Sequence, residues 1–111
     1  MIQVKYYIEG GFIKKLSIQG HADFCKTNNL DVVCACASSI IIGGLNAIDD
    51  DKNYQMTLNS GDVKVEVITS NEHDDVVLKT IIMQLKTLET KYSKNINVKL
   101  YWRKVGRNYE I

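Results

Sequence analysis

The stretch that decides the fold is Asp31-Val32-Val33-Cys34-Ala35-Cys36-Ala37-Ser38-Ser39-Ile40-Ile41-Ile42-Gly43-Gly44-Leu45-Asn46-Ala47-Ile48. Wound as a helix over 32–48 it is apolar on nearly every side, and a helix without a polar face has to be buried between other layers. Asp31 stands where an N-cap belongs. Gly43 and Gly44 each cost about 1 kcal/mol relative to alanine inside a helix, so they call for close packing or mark the helix stop.

Upstream of this run, residues 20–30 lack periodicity and contain the turn-forming pair Asn28-Asn29. That composition reads as a loop, and loops on a rigid frame are where chemistry concentrates. Earlier still, Ile2, Val4, Tyr6 and Ile8 alternate with Gln3, Lys5, Tyr7 and Glu9, the period of a half-buried strand. Gly10-Gly11 supplies a tight turn into a second strand over 12–19, with Leu16 and Ile18 inward. Lys14-Lys15 breaks its alternation and predicts a bulge.

Downstream, two alternating runs over 54–58 and 63–67 flank Asn59-Ser60-Gly61-Asp62, a second hairpin by its turn chemistry. Val77, Ile81, Leu85, Leu88 and Tyr92 then recur at helical spacing. Ser70 or Asn71 can cap that helix, with Glu72, Asp74 and Asp75 at its positive end. A last strand alternates Ile96, Val98, Leu100 and Trp102 against Asn97, Lys99 and Tyr101, and the basic residues 103–107 after it read as a solvated, frayed end. The order is ββαββαβ. Hairpins argue for a mostly antiparallel sheet with two helices covering its apolar face, an α+β fold.

The 111 residues fit one domain over 1–111. An apolar fraction of 45% with 24% charged residues excludes a disordered chain. A net charge of +1 with mixed signs provides no long-range field towards nucleic acid or an anionic membrane, so neither is an expected partner. The N-terminus lacks the apolar core of a secretion signal and no apolar run nears the ~20 residues of a membrane span, so the cytoplasm is the expected location. Three cysteines are an odd number, and Cys34 and Cys36 lie too close along a helix to face each other, so no disulfide framework is expected.

With Asp31 as N-cap, Cys34 becomes the third helical residue, where unpaired amides and the helix dipole favour an anion. A thiol pKa of about 8.5 falls to roughly 3.5–7.5 in such surroundings, which activates the sulfur as a nucleophile. Cys36, about 200° further round the helix, points into the core and packs there. The nucleophile needs a base that titrates near neutrality, which only histidine supplies unperturbed. His73 falls in an acidic first turn and reads as a surface residue, whereas His21 opens the loop that leads to Cys34. The helix-start amides can also donate to an oxyanion. Asp31 and Ser38 share the helical face of Cys34, Asp31 to orient the imidazole and Ser38 to hold substrate or loop.

Each residue has a structural reading too: a cysteine on an apolar helix packs as a small hydrophobe, and an aspartate before a helix is its cap. A tetrahedral zinc on His21, Cys25, Cys34 and Cys36 has the right donor atoms, but the two helical thiols diverge and no Cys-x-x-Cys knuckle exists. No metal and no cofactor is expected. Phosphate loops, paired catalytic carboxylates and aromatic-basic nucleic-acid surfaces are absent from the sequence.

Gly20-His21-Ala22, then Asp31-Val32-Val33-Cys34-Ala35 with Ser38 four residues after the cysteine, resembles the bacterial ribosomal-processing cysteine protease (Prp) family over nearly the whole chain. The resemblance implies a homodimeric endopeptidase that removes the N-terminal extension of a large-subunit ribosomal protein, with that peptide as partner. It implies a catalytic dyad at Cys34 and His21, supporting positions at Asp31 and Ser38, and a loop over 22–30 that closes on the substrate. The chain departs from the pattern at Leu30, where the family tends to have glycine, and at Cys25, an extra thiol. The competing expectation is a non-catalytic ribosome-associated or dimeric binding module in which Cys34 is merely packed.

Overall fold

The computed structural model describes residues 1–21, 31–105 and 108–110, with side chains through Tyr101. Its elements are β1 (Ile2–Glu9), β2 (Phe12–Gln19), α1 (Val32–Leu45), a 3-10 turn (Asp51–Asn53), β3 (Tyr54–Asn59), β4 (Asp62–Val67), α2 (Glu72–Lys91), β5 (Ile96–Val105) and β6 (Asn108–Glu110). They form one sheet of order β3-β4-β2-β1-β5-β6. Every pairing is antiparallel except that of β1 with β5. The α+β class and the ββαββαβ order therefore hold, with the short β6 added.

Gly10 and Gly11 lie at φ 60° and 83°, the left-handed conformation that a two-residue hairpin turn demands. The bulge falls where the sequence places it: Tyr7 pairs with Lys15 but Ile8 with Ile13, leaving Lys14 as the extra residue. β4 accompanies β2 only from Lys15 onward. The Ile13 amide instead donates to Asp75 Oδ1 of α2 at 2.7 Å. Asp75 Oδ2 also meets Lys79 Nζ at 2.6 Å, and that ammonium donates to the Gly11 carbonyl at 2.7 Å. A buried carboxylate thus clamps α2 onto the irregular end of the first hairpin.

Both helices lie on one face of the sheet. Val33, Ala37, Ile41 and Leu45 of α1 and Leu78, Ile81, Ile82 and Leu85 of α2 share a core with Val4, Leu16, Val65 and Ile96 beneath them. An added Cβ at Gly44 would collide with the Ile81 side chain, whereas Gly43 faces open space. Close approach of the two helices is thus the reason for the second glycine of the pair.

Two expectations fail on α1. It is buried along one stripe, not on all sides, and Val32, Cys36, Ser39 and Gly43 are exposed. The cause is layering: in two layers with the helices side by side, each helix has an outer face that nothing covers. Cys36 accordingly lies on that outer face and not in the core. Residues 103–105 are not frayed either, since β5 continues through Val105 and pairs with β6, Arg103 with Glu110 and Val105 with Asn108, while 106 and 107 lie outside the described residues. Among the described residues, no helix is long and apolar enough to cross a membrane.

Asn71 caps α2, its side-chain oxygen accepting the Asp74 amide at 2.9 Å. The Ser70 hydroxyl is buried without a partner, so Asn71 and not Ser70 fills that role. Asp74, 1% exposed, collects four donors. Tyr54 Oη donates at 2.6 Å, the Asp49 amide at 3.2 Å and Asn71 Nδ2 at 3.3 Å, and His73 Nδ1 lies 2.7 Å away. These contacts tie the start of α2 to β3 and to the chain leaving α1.

Candidate active site

Asp31 takes extended backbone geometry and its Oδ1 accepts the Cys34 amide at 3.0 Å. Cys34 is thereby fixed as the third residue of α1. Its side chain is half-buried against the core, with one helix dipole behind it. One turn on, Ser38 is exposed. The Asp31 carboxylate holds the helix start, and the amide it occupies is one that sequence reasoning assigned to an oxyanion.

His21 arrives from the opposite wall. Gly20, at φ 95°, packs so closely on the N-terminus that an added Cβ would collide with the Met1 carbonyl. Its amide donates to the Gly61 carbonyl at 2.9 Å. This bond ties the end of β2 to the β3–β4 turn, and the imidazole lies over that turn: a Cβ at Gly61 would stand 2.6 Å from His21 Nε2 and 2.9 Å from Cε1. Gly61 is itself at φ 73°, so the conformation of the turn and the seat of the imidazole both require glycine.

Between these walls runs a groove of about 360 Å³. His21, Cys34 and Ser38 all line it, together with the turn residues Asn59, Ser60 and Gly61. Its floor and flanks are apolar, from Ile18, Ile41, Ile42, Leu58 and Val63. A partly buried thiol at a helix start facing an imidazole across an apolar trough suits acyl transfer with an extended peptide. The contribution of the β3–β4 turn was not legible in the sequence, where Asn59-Ser60-Gly61-Asp62 carries only a hairpin signal and nothing links position 61 to position 21.

Of the thiols, Cys34 faces this groove, while Cys36 lines a separate outer groove between α1 and α2 with Leu88 and Tyr92. Cys25, like Ala22, Leu30 and the proposed closing loop over 22–30, lies outside the described residues. The two helical cysteines do not converge on one metal. Among the described residues, only Asp49, His73 and Asp74 bring three ligand atoms within 4.8 Å, and His73 is there already engaged by both carboxylates. His73 is exposed, as its position suggested, but it belongs to that network.

The chain is similar to known proteins over most of its length. The family model described as "Cysteine protease Prp" matches residues 1–97. The chain is 32% identical over 95 residues to the ribosomal processing cysteine protease Prp of Staphylococcus aureus strain Mu50, covering 79% of this chain and 87% of that relative. It is 33% identical over 84 residues to the protein of the same name from Mycoplasma pneumoniae strain M129, covering 75% and 83%. The crystal structure of an essential ribosomal processing protease Prp from S. aureus, with a covalently linked product peptide, superposes with a TM-score of 0.78 at 27% identity over 94% of this chain and 100% of that one. A match over most of the chain, joined to a thiol and an imidazole on one groove, leads to a single assignment: the chain belongs to the cysteine protease Prp family and is a cysteine protease.

Proposed function

We propose that the chain is a single-domain cytoplasmic endopeptidase that removes the N-terminal extension of a large-subunit ribosomal protein. The observation that carries this reading is the shared groove, with Cys34 at the start of α1 on one side and His21 seated on the β3–β4 turn on the other. The names of the S. aureus and M. pneumoniae relatives support the class of substrate.

The Cys34 thiolate attacks the scissile carbonyl carbon, forming a C–S bond and placing the electron pair on oxygen. Collapse of this intermediate breaks the C–N bond as the His21 imidazolium delivers its proton to the leaving amine. Water then gives a proton to His21 and attacks the thioester, releasing the carboxylate product and Cys34. With the Cys34 amide held by Asp31, oxyanion stabilisation falls to other donors on the groove wall, among them the Ser38 hydroxyl. Asp31 acts by holding the first turn in place. The apolar trough accepts apolar side chains of the peptide near the cut.

The exposed apolar face of α1, with Val32 43% exposed beside Cys36 and the groove to Leu88 and Tyr92, is the surface on which a second copy packs. Cys36→Lys should shift the sedimentation profile from dimer to monomer. An unchanged dimer would move the interface elsewhere.

The decisive assay incubates the protein with a peptide carrying the ribosomal extension. Wild type cleaves it at one position, and Cys34→Ala and His21→Ala lose at least about a thousandfold in kcat/KM. An intact peptide with wild type, or cleavage by Cys34→Ala at the wild-type rate, sinks the reading.

A further inference from the structure

Both helices cover the same face of the sheet, which leaves the other face open. The near-neutral net charge hides how the signs are distributed there. Across the outward positions of residues 3–7, 15–19 and 97–101 stand three lysines, two tyrosines and no carboxylate. Among the described residues, the acids bordering this strip are Glu9 at the far end of β1 and Asp62 and Glu66 on β4. Glu66 reaches Lys15 only at 3.9 Å.

Two features of this strip are costly for the protein alone. Lys5 and Lys99 are register partners on the parallel pair β1 and β5, so two ammonium-bearing side chains leave the same face as neighbours, an arrangement that destabilises a sheet. Tyr101 is 45% exposed. Its ring lies 5.4 Å from that of Tyr7, tilted at 58°. Lys5 Nζ stands 5.0 Å from the Tyr101 centroid and Lys15 Nζ 5.4 Å from that of Tyr7. A shallow groove of about 450 Å³ runs beside them, lined by Gln3, Lys5, Asn97, Lys99 and Tyr101.

We infer that this open face binds single-stranded nucleic acid. Unpaired bases stack on aromatic rings while lysines track the phosphates, and the sequence tolerance of stacking suits a site with few fixed donors. An exposed ammonium over a tyrosine holds it more weakly than a stacked base does. A base therefore displaces Lys5 or Lys15 from its ring, and the freed ammonium meets the adjoining phosphate. A phosphate between Lys5 and Lys99 also removes their mutual repulsion. Gln3 and Asn97, register partners one step along, offer amides to base edges or to a 2′-hydroxyl. The catalytic groove lies on the helix side of the sheet, so the two sites are separate.

The test is fluorescence anisotropy with labelled oligouridylate, oligodeoxythymidylate and a mixed-sequence duplex, titrated with the full chain across a salt series. Both single strands, or the RNA alone, should bind with affinity that falls steeply with salt, and the duplex more weakly. Tyr101→Ala should weaken binding roughly fivefold or more. Lys99→Gln should lower the salt slope by about 0.7 while leaving the melting temperature equal or higher, a pairing of effects that a purely structural lysine would not give. Cys34 alkylation serves as the folding control and should be unchanged in both. The inference is overturned by no binding at low salt, by equal affinity for the duplex, by equally effective competition from oligoglutamate, or by wild-type affinity in both variants.

Discussion

Gly61 has two tasks at one residue: it holds φ 73° in the β3–β4 turn, and its missing side chain is the space in which the His21 imidazole lies. On the mechanism proposed above, Gly61→Ala should lower kcat/KM for the extension peptide at least about tenfold, because a displaced His21 loses its geometry. Gly10→Ala is the matched control, since Gly10 is at φ 60° with nothing within 4 Å of a new Cβ. Both substitutions introduce left-handed strain of about 1–2 kcal/mol, visible in urea melts, but Gly10→Ala should keep full activity. Equal activities for the two variants would remove the turn from the site. Individual side chains were legible in the sequence where chemistry is local to them. The places of Asp31 and Cys34 at the helix start follow from local spacing, and His21, preferred to His73 in the sequence, lines the same groove as Cys34. Cys36 was misplaced because apolar composition around a helix does not say how many layers surround it. Asp74 and Asp75 looked like favourable charges in a first turn, and their burial depends on contacts with Tyr54 and Ile13 distant in the chain.

Elements meet at two junctions that can be tested. Gly43 and Gly44 are adjacent in α1 but differ in surroundings, so alanine at each should have opposite effects. Gly44→Ala drives a methyl group into Ile81 of α2 and should cost about 1–3 kcal/mol. Gly43→Ala meets open space in a helix and should stabilise by roughly 0.5–1 kcal/mol. Urea denaturation of both variants reads the difference, and a shared sign would contradict the close approach of the helices.

The second junction is the start of α2. Burial alone would raise the Asp74 carboxyl, but the hydrogen bonds from Tyr54, His73, the Asp49 amide and Asn71 outweigh it and hold the pKa at about 2, against 3.8 for the free side chain. A depressed folded value means that the contribution is complete above about pH 4 and is lost as pH falls towards 2, amounting to about 2 kcal/mol. The same bond pushes Tyr54 upward, behind the larger effect of its own burial. His73 moves the opposite way to Asp74, raised by its bond to Asp74 and then by the Asp49 charge. Its contribution is complete below 6.5 and fades as pH climbs through the higher folded value. Stability measured in urea should thus decline on both the acid and the alkaline side. Asp74→Asn should flatten the acid limb and His73→Gln the alkaline one, and an acid limb identical in wild type and Asp74→Asn would exclude this role for the carboxylate.

At the scale of the whole molecule, alternation and helical spacing sufficed for the class, the element order and both hairpins, because those signals are written within a few residues. Three things were out of reach. Strand order across the sheet, and with it the parallel partnership of β1 and β5, depends on a pairing between residues more than ninety positions apart, such as Ile2 with Ile96. The continuation of β5 into β6 was hidden by a basic composition that resembles a tail. The segregation of lysines and tyrosines onto the open face is invisible in a net charge, because it arises only when separate strands come together.

That central partnership has a consequence for how the enzyme comes into being. A nascent chain emerging from the ribosome can close its two hairpins early, yet β1 keeps a bare inner edge until β5, more than ninety residues further on, has been made. Contacts of such long sequence separation form late and slowly. Assembly therefore waits for β5, and a translation product truncated after Lys91 should be digested by added trypsin while a product carrying β5 and β6 resists it.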